Sequence, residues 1–409
     1  MSGSISAGNL NIKNLVVLSP RGTFILPPSQ TSLSIYESIF TPGIVCDVNV
    51  VDFEDNLGQL VMTGDEFLLV SLETPISGTS IDYVFHIDSL TNVQSIGAQK
   101  VKTYTLNCIS EEAMTSKINF GKGYIDLCSN IVIDIHKNYL KSGKQIITEP
   151  TIGQQNIVIT PRTGFDAIRL VKTRSVSAAN KSSLYTYFET RQNNASVFKF
   201  VTIESLFRNS VVKSFRQADT QGIDSKARDD DNILAYKVVN QFSATEKITL
   251  GGARKVVDLD GATQIYNSKI VNTVDTNYAD GGLSTASMTS NAFSQSYTSP
   301  NPMLTSVFVD NFVRAQTFIP QYSSDQQAYA SLMLQNSLKI RVPGDLILTS
   351  GSMVNCSIID KNEVTNNVDP LLSGKFLVAR IHHKIGRIEE SPRYTCVMEL
   401  LKGKYNEGV

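Results

Sequence analysis

Residues 183–207 read SLYTYFETRQNNASVFKFVTIESLF. Aromatic and β-branched residues crowd two short runs, LYTYFET and SVFKFV, and a polar tip, RQNNA, separates them. That pattern predicts a β-hairpin. A short amphipathic run follows, with Thr202 placed to cap a helix and Glu204 in its first turn, where a carboxylate meets the positive end of the helix dipole. Along the first strand Tyr185 and Tyr187 alternate against Thr186 and Phe188, so the rings point to two faces. Rings exposed beside Arg191 and Lys199 would form a stacking platform for a base or a sugar. Rings packed on helices would be scaffold. The rest of the chain decides between these roles.

Helical periodicity surrounds the hairpin. In YIDLCSNIVIDIHKNYL, residues Tyr124, Cys128, Ile131, Val132, Ile135 and Tyr139 recur at helical spacing. A second helix is expected after Pro161, over FDAIRLVKTRSV. Residues 111–230 therefore read as an α+β unit. Residues 1–110 read as strands: in DYVFHID, Tyr83, Phe85 and Ile87 share one face and Val84, His86 and Asp88 the other. CDVNVVDF, EFLLVSLE and KVKTYTLNCIS behave alike, separated by turns such as LPPSQ, TPG and DNLG. The C-terminal part returns to strands. LKIRVPGDLILTSGSMVNCSIID reads as strand, Pro-Gly turn, strand, Gly break, strand. In FLVARIHHKIG, Leu377, Ala379, Ile381, His383 and Ile385 oppose Arg380, His382 and Lys384, and YTCVMELL supplies a last strand. The expected fold is mainly β with an α+β insert: two tube-like β-barrel domains, 1–110 and 231–409, and a helix-containing middle domain, 111–230. Residues 217–232 read as a solvated linker. Residues 280–302, rich in Ser, Thr, Asn and Gly, read as a long polar loop, and a helix is expected to begin near Ser324.

Composition narrows the class. The chain has 409 residues, 41% of them apolar, enough for a substantial core. No run is long and apolar enough to predict a transmembrane helix. The N-terminus lacks the basic start, apolar middle and cleavage site of a signal peptide, so no export by that route is expected. Cys46, Cys108, Cys128, Cys356 and Cys396 are scattered among apolar residues without a CxxC pair, and read as reduced, buried hydrophobes. Net charge is −1, yet residues 1–100 hold three basic and ten acidic residues, while 162–216 hold ten basic and three acidic. Such asymmetry marks an interaction surface, whose partner is nucleic acid or the acidic block of a neighbouring copy.

A search for catalytic chemistry finds little. GxSxG, HExxH and P-loop spacings are missing. His382 and His383 are neighbours on a strand and so point to opposite faces; His383 reads as a core histidine and His382 as a solvated one among cations. His136 has Asp134 nearby in sequence. The triplet Asp229–Asp231 lacks the spacing of a calcium loop and reads as a solvated turn. No catalytic, cofactor-binding or metal-binding residue is assigned, and no cofactor is expected.

The order of elements, with three stretches, resembles the central baseplate hub family of contractile-tailed bacteriophages, which is related to the hub portion of type VI secretion spike proteins. The stretches are the hairpin and helix start YTYFETRQNNASVFKFVTIESLF, the run QQAYASLMLQNSLKIRVPGDLILTSGSMVNCSII, and the closing SGKFLVARIHHKIGRIEESPRYTCVMELLKG, with Ile381 to Ile385 standing for an I–x–H–x–I pattern. The resemblance spans nearly the whole chain and is one of architecture more than of letters. It implies a structural, non-enzymatic protein of the virion tail baseplate, assembled in the host cytoplasm. Three copies would form a pseudo-sixfold ring that adapts the sixfold tail tube to the threefold spike. Implied partners are the protein itself as a homotrimer, the tail spike protein, the tail tube or tube-initiator protein, the baseplate wedge proteins, and DNA in transit through the lumen during genome ejection. On that reading the aromatic hairpin is scaffold. The competing reading is a receptor- or glycan-binding tail protein, which would use Phe293 and Tyr297 in the polar loop. A third, a cell-wall hydrolase, has no motif behind it.

Overall fold

The computed structural model describes residues 8–53, 62–96, 101–217, 229–240, 254–260, 265–271, 305–310, 337–359 and 368–402, with a few positions inside these ranges excepted. The expected loop at 280–302, the helix near Ser324 and most of the linker lie outside the described residues. Among those described, no helix is long and apolar enough to cross a membrane.

Seven strands open the chain: β1 (Asn11–Ser19), β2 (Gly22–Ile25), β3 (Thr31–Ser38), β4 (Val45–Asp52), β5 (Phe67–Thr74), β6 (Thr79–Ile96) and β7 (Val101–Ser110). Strands β3, β4, β5 and β7 alternate in burial. Tyr83, Phe85 and Ile87 are buried while Val84 is 47% exposed, because a strand turns successive side chains to opposite faces. The middle unit follows with β8 (Phe120–Leu127), the helix Cys128–Asp134 closing in a π turn over Ile135–Tyr139, β9 (Gln145–Thr148), β10 (Gln154–Arg162), the helix Gly164–Lys172, β11 (Tyr185–Gln192), β12 (Ala195–Thr202), the short helix Ile203–Phe207 and β13 (Val211–Arg216). The last part holds β14 (Ala235–Asn240), a separate sheet of β15 (Arg254–Asp260), β16 (Ile265–Val271) and β17 (Thr305–Asp310), then β18 (Ser337–Pro343), β19 (Met353–Ser357), β20 (Gly374–Ile388) and β21 (Ser391–Leu401).

The mainly β fold with a helical insert is as expected. One thirteen-stranded sheet carries the strands of both ends of the chain, in the order β14-β18-β21-β20-β3-β4-β7-β6-β5-β1-β2, with β19 joining β20 to β13. The seam is the antiparallel ladder of β20 with β3, where Arg380, His382 and Lys384 lie opposite Ser38, Tyr36 and Ser34. A single apolar cluster, from Leu10 to Leu400, lies under both halves. A second cluster belongs to the middle unit.

The hairpin forms with Tyr185 opposite Thr202 and a tighter turn than expected: Arg191, Gln192 and Ala195 of the expected tip belong to the strands, Gln192 lies opposite Ala195, and Asn194 takes the left-handed backbone (φ 61°) that asparagine tolerates in tight turns. β11 is covered on both faces. Tyr185 and Tyr187 pack with Phe198 and Phe200 on helix residues Ile131, Val132, Ile168 and Val171. Phe188 points the other way, to Ile203, Leu206, Met353, Leu377 and Leu401. The rings are scaffold, and they join the helices to the sheet.

Three local expectations are corrected. The first helix starts at Cys128 and not before it, for Tyr124 belongs to β8 and pairs with Ile157 of β10. Ladder hydrogen bonds to β10 along Tyr124–Leu127 outweigh the helical spacing. The strand expected after the Pro-Gly turn is instead a chain of turns, since the Asp345 carboxylate accepts from the Ile347 amide at 3.1 Å and bends the backbone. Gly344 just before it lies under the Tyr394 ring, with a methyl group's place only 2.2 Å from the ring carbon. Third, residues 229–231 do form a turn, of 3-10 type, but Asp230 is partly buried, 3.8 Å from Lys213, which also pairs with Asp345 at 3.1 Å.

Thr202 caps the short helix as expected, accepting from the Ser205 amide. Glu204, read as a first-turn carboxylate, is 1% exposed and has no ion-pair partner among the described residues. Burial pushes its pKa up to about 7. The folded state therefore holds this proton more tightly than the unfolded chain does. The associated stability is complete below about pH 4.5 and is lost as the pH rises through about 7. Glu204→Gln is expected to raise the unfolding free energy by about 2–3 kcal/mol near pH 8 and to change it little near pH 4.5. Urea unfolding at the two pH values measures this; an equal gain at both would show that ionisation is not the cause.

Candidate interaction face

Behind the seam lies a buried polar clamp. The Arg191 Nε is 3.0 Å from Glu37 Oε1, with both side chains all but inaccessible to solvent. Tyr83 donates its hydroxyl to the same oxygen at 3.4 Å. The other oxygen accepts from the Thr349 hydroxyl at 2.6 Å and the Ser350 amide at 3.0 Å. Arg191 also donates to the Leu348 carbonyl at 2.6 Å and to His383 Nε2 at 3.2 Å. His383 Nδ1 is 2.7 Å from the Tyr394 hydroxyl, and its Nε2 is 3.5 Å from Glu37 Oε1. Burial pushes the Glu37 carboxyl up, but Arg191 and His383 together outweigh it and hold the group well below the usual carboxylate range.

A second knot sits two residues earlier on the same face of β11. The Glu189 carboxylate accepts from Lys144 at 2.7 Å and from the Ile44 amide at 3.1 Å, and Lys144 also donates to Glu112 at 2.7 Å. Burial pulls the Lys144 ammonium down, and the two carboxylates outweigh it and hold it up. Together the clamps fix the middle unit to β3, β20 and the loop before β4.

In front of the seam the sheet is uncovered by described residues. Cross-strand register places Lys237, Lys339, Glu399 and Arg380 in one row, Arg341, Val397, His382, Tyr36, Val45 and Ile109 in the next, and Lys384, Ser34, Asp47 and Asn107 in a third. The N-terminal half carries Asp47, Asp82 and Asp88 and an uncharged ladder: Asn49 donates to Ser32 at 3.4 Å, Thr105 to Asn49 at 2.7 Å, and Asn107 to Ser89 and Thr91 at 3.0 Å. The C-terminal half carries Lys237, Lys339, Arg341, Arg380 and Lys384 against Glu399, which pairs with Arg380 at 2.9 Å. At the seam the face dips into a cleft of about 500 Å³. The Tyr36 and His382 rings stack there at 4.3 Å.

The two histidines of β20 do face opposite ways. His383 is a core residue, as expected. His382 is half-buried in the cleft with Tyr36 stacked on it, and burial, then His383, Lys384 and Lys339, lowers its pKa. His136 and Asp134 are not brought together. His136 is buried between the Tyr187 hydroxyl and the Lys144 carbonyl, each at 2.9 Å, while Asp134 takes Lys122, Tyr124 and Asn138. All five cysteines are free and buried, with Cys46 opposite Cys108 across β4 and β7. Arg191, from the basic block, meets the acidic block within its own chain. Glu37 carried a usable signal: in SLSIYES it shares the strand face of Leu33 and Ile35, and a carboxylate on an apolar face calls for a buried partner.

A split, one-sided sheet locked to a small α+β unit is a fold shared with solved tail proteins. The tail protein from Neisseria meningitidis MC58 superposes with a TM-score of 0.57 over 95% of this chain and 96% of its own, at 11% identity. The 43 kDa tail protein of prophage MuSo2 from Shewanella oneidensis gives 0.52 over 96% and 98%, at 12% identity. A chain of the half-lidded Francisella PdpA–VgrG complex gives 0.50 over 98% of this chain and 59% of its own, at 9% identity. No protein-family model and no curated protein matches the sequence. At such identities the likeness is one of fold.

Proposed function

We propose that the protein is the central hub of a phage-tail baseplate, a scaffold and not an enzyme. Three copies form a ring in which 1–110 and 231–409 each supply one tube-like domain and 111–230 braces them. The ring is pseudo-sixfold. It joins a sixfold tail tube or its initiator to a threefold spike, with baseplate wedge proteins around it and DNA passing through it. The observation that carries this reading is the β3–β20 ladder, which sets the strands of both chain ends side by side in one sheet with one covered and one open face. Among the described strands such a sheet ends in β14, β2 and β13, edges able to pair with neighbouring copies. Its N-terminal open face is acidic and Ser/Thr/Asn-laddered, and its Lys13 is paired with Glu73 at 3.2 Å, so among the described residues it offers sliding phosphates little cationic hold.

Class averages of the purified chain by negative-stain microscopy, alone and with the adjacent spike subunit, test the proposal. Rings with a central hole and threefold, nearly sixfold, symmetry are expected. Compact particles without a hole in both preparations would overturn it.

A further inference from the structure

The hairpin was the first candidate for a stacking platform, and its rings are buried. The combination such a platform needs, rings open beside cations, occurs instead at the seam. Tyr36 is 39% exposed and stacked on His382. The cleft around this pair is lined by Val45, Val397, Lys339 and Arg380. Arg380 is answered by Glu399 and lies 5.4 Å from the Phe40 ring. Lys339, Arg341 and Lys384 are exposed and have no ion-pair partner among the described residues. Lys339 and Arg341 project from one face of β18 two residues apart, about 6.7 Å along the strand.

We propose that this cleft binds single-stranded nucleic acid, with phosphates on Lys339, Arg341 and Lys384 and a base continuing the Tyr36–His382 stack. The inference rests on the hub reading, since a face on the lumen is the face a genome end meets. The open face is then divided in function: its N-terminal half lets duplex pass, and its C-terminal half holds an unpaired end. An acidic peptide would use the cations but not the rings, so the ring pair favours the nucleic acid.

The full chain is titrated into a labelled oligothymidylate of about twelve nucleotides, followed by fluorescence anisotropy at several salt concentrations. Binding is expected at about 50 mM salt, with log K falling as log salt rises. Lys339→Glu with Arg341→Glu is expected to weaken it at least about tenfold and to reduce the salt slope by about 1.4. Tyr36→Ala is expected to cost about tenfold, and Tyr36→Phe almost nothing. Lys137→Glu with Lys141→Glu, an equal reversal on the middle unit, is expected to change nothing, and circular dichroism of each variant shows whether it is folded. No binding at about 50 mM salt, duplex bound as tightly as single strand, displacement by polyglutamate at equal charge, or an equal loss in the control reversal would each overturn the proposal. Micrographs of the same samples separate the two readings. Rings that bind no oligonucleotide overturn this inference and leave the hub; binding by particles that never form rings overturns the hub.

Discussion

Arg191→Ala is expected to lower the unfolding free energy by about 3–5 kcal/mol near pH 7, the range for breaking a buried ion pair from one side. The guanidinium touches Glu37, His383 and the Leu348 carbonyl at once. Its loss leaves a carboxylate in the core with only the hydroxyls of Tyr83 and Thr349 and the Ser350 amide to hold it. The pH dependence identifies the cause. In the native protein Glu37 titrates below its ordinary value of 4.5, so its contribution is complete above that value and is lost as the pH falls below it. Without Arg191 the strongest group opposing burial is gone, the carboxyl's pKa rises, and the variant loses less stability on acidification. The deficit should therefore be largest near neutrality and shrink below about pH 4. Urea unfolding across that range measures it. A deficit constant with pH would mean that the lost packing of the arginine stem, not the charge, is responsible. Replacing both partners, with Glu37→Met and Arg191→Met, is expected to recover most of the loss, because removing both charges leaves neither unpaired.

Phe188→Ala is expected to cost about 3–5 kcal/mol at any pH, as a large ring removed from a filled core does. Phe188 is fully buried on the hairpin face opposite the tyrosines. It meets Ile203 and Leu206 of the middle unit and Met353, Leu377 and Leu401 of the sheet. Gly351, held at φ 81°, brings its backbone so close that a methyl group there would lie 2.9 Å from the ring. Such a backbone cannot easily close over a cavity, which places the expected cost at the upper end of the range. Because the ring joins two units, its loss should also separate them: amide exchange is expected to speed up in both β11 and β19. Faster exchange in the hairpin alone would show that the units are held together by the clamps and not by this contact.

The candidate site was legible in part. The strand face of His383 could be read from FLVARIHHKIG, and the placement of Leu33, Ile35 and Glu37 on one face from SLSIYES. What could not be read was the partner of each. Glu37 and Thr349 are 312 residues apart, and Arg191 and His383 are 192 apart. Nothing in a strand's alternation says which other strand will lie beside it. Likewise, the spacing of Tyr124 with Cys128 fits a helix and a strand end equally well, and only the ladder with β10 decides.

The amino-acid sequence by itself determined what short-range physics controls: which segments alternate with period two, which repeat at helical spacing, where Thr202 caps and Asn194 turns, and that every cysteine would be buried. These follow from side-chain direction and backbone preference within a few residues. Tertiary structure alone decided that β20 lies against β3, so that both chain ends share a sheet, that Arg191 is consumed by Glu37 rather than left for a partner, and that the open aromatic pair is Tyr36 with His382 and not the tyrosines of the hairpin. Those outcomes depend on which of many similar strand faces meet, a choice made by the summed burial and pairing of residues hundreds of positions apart.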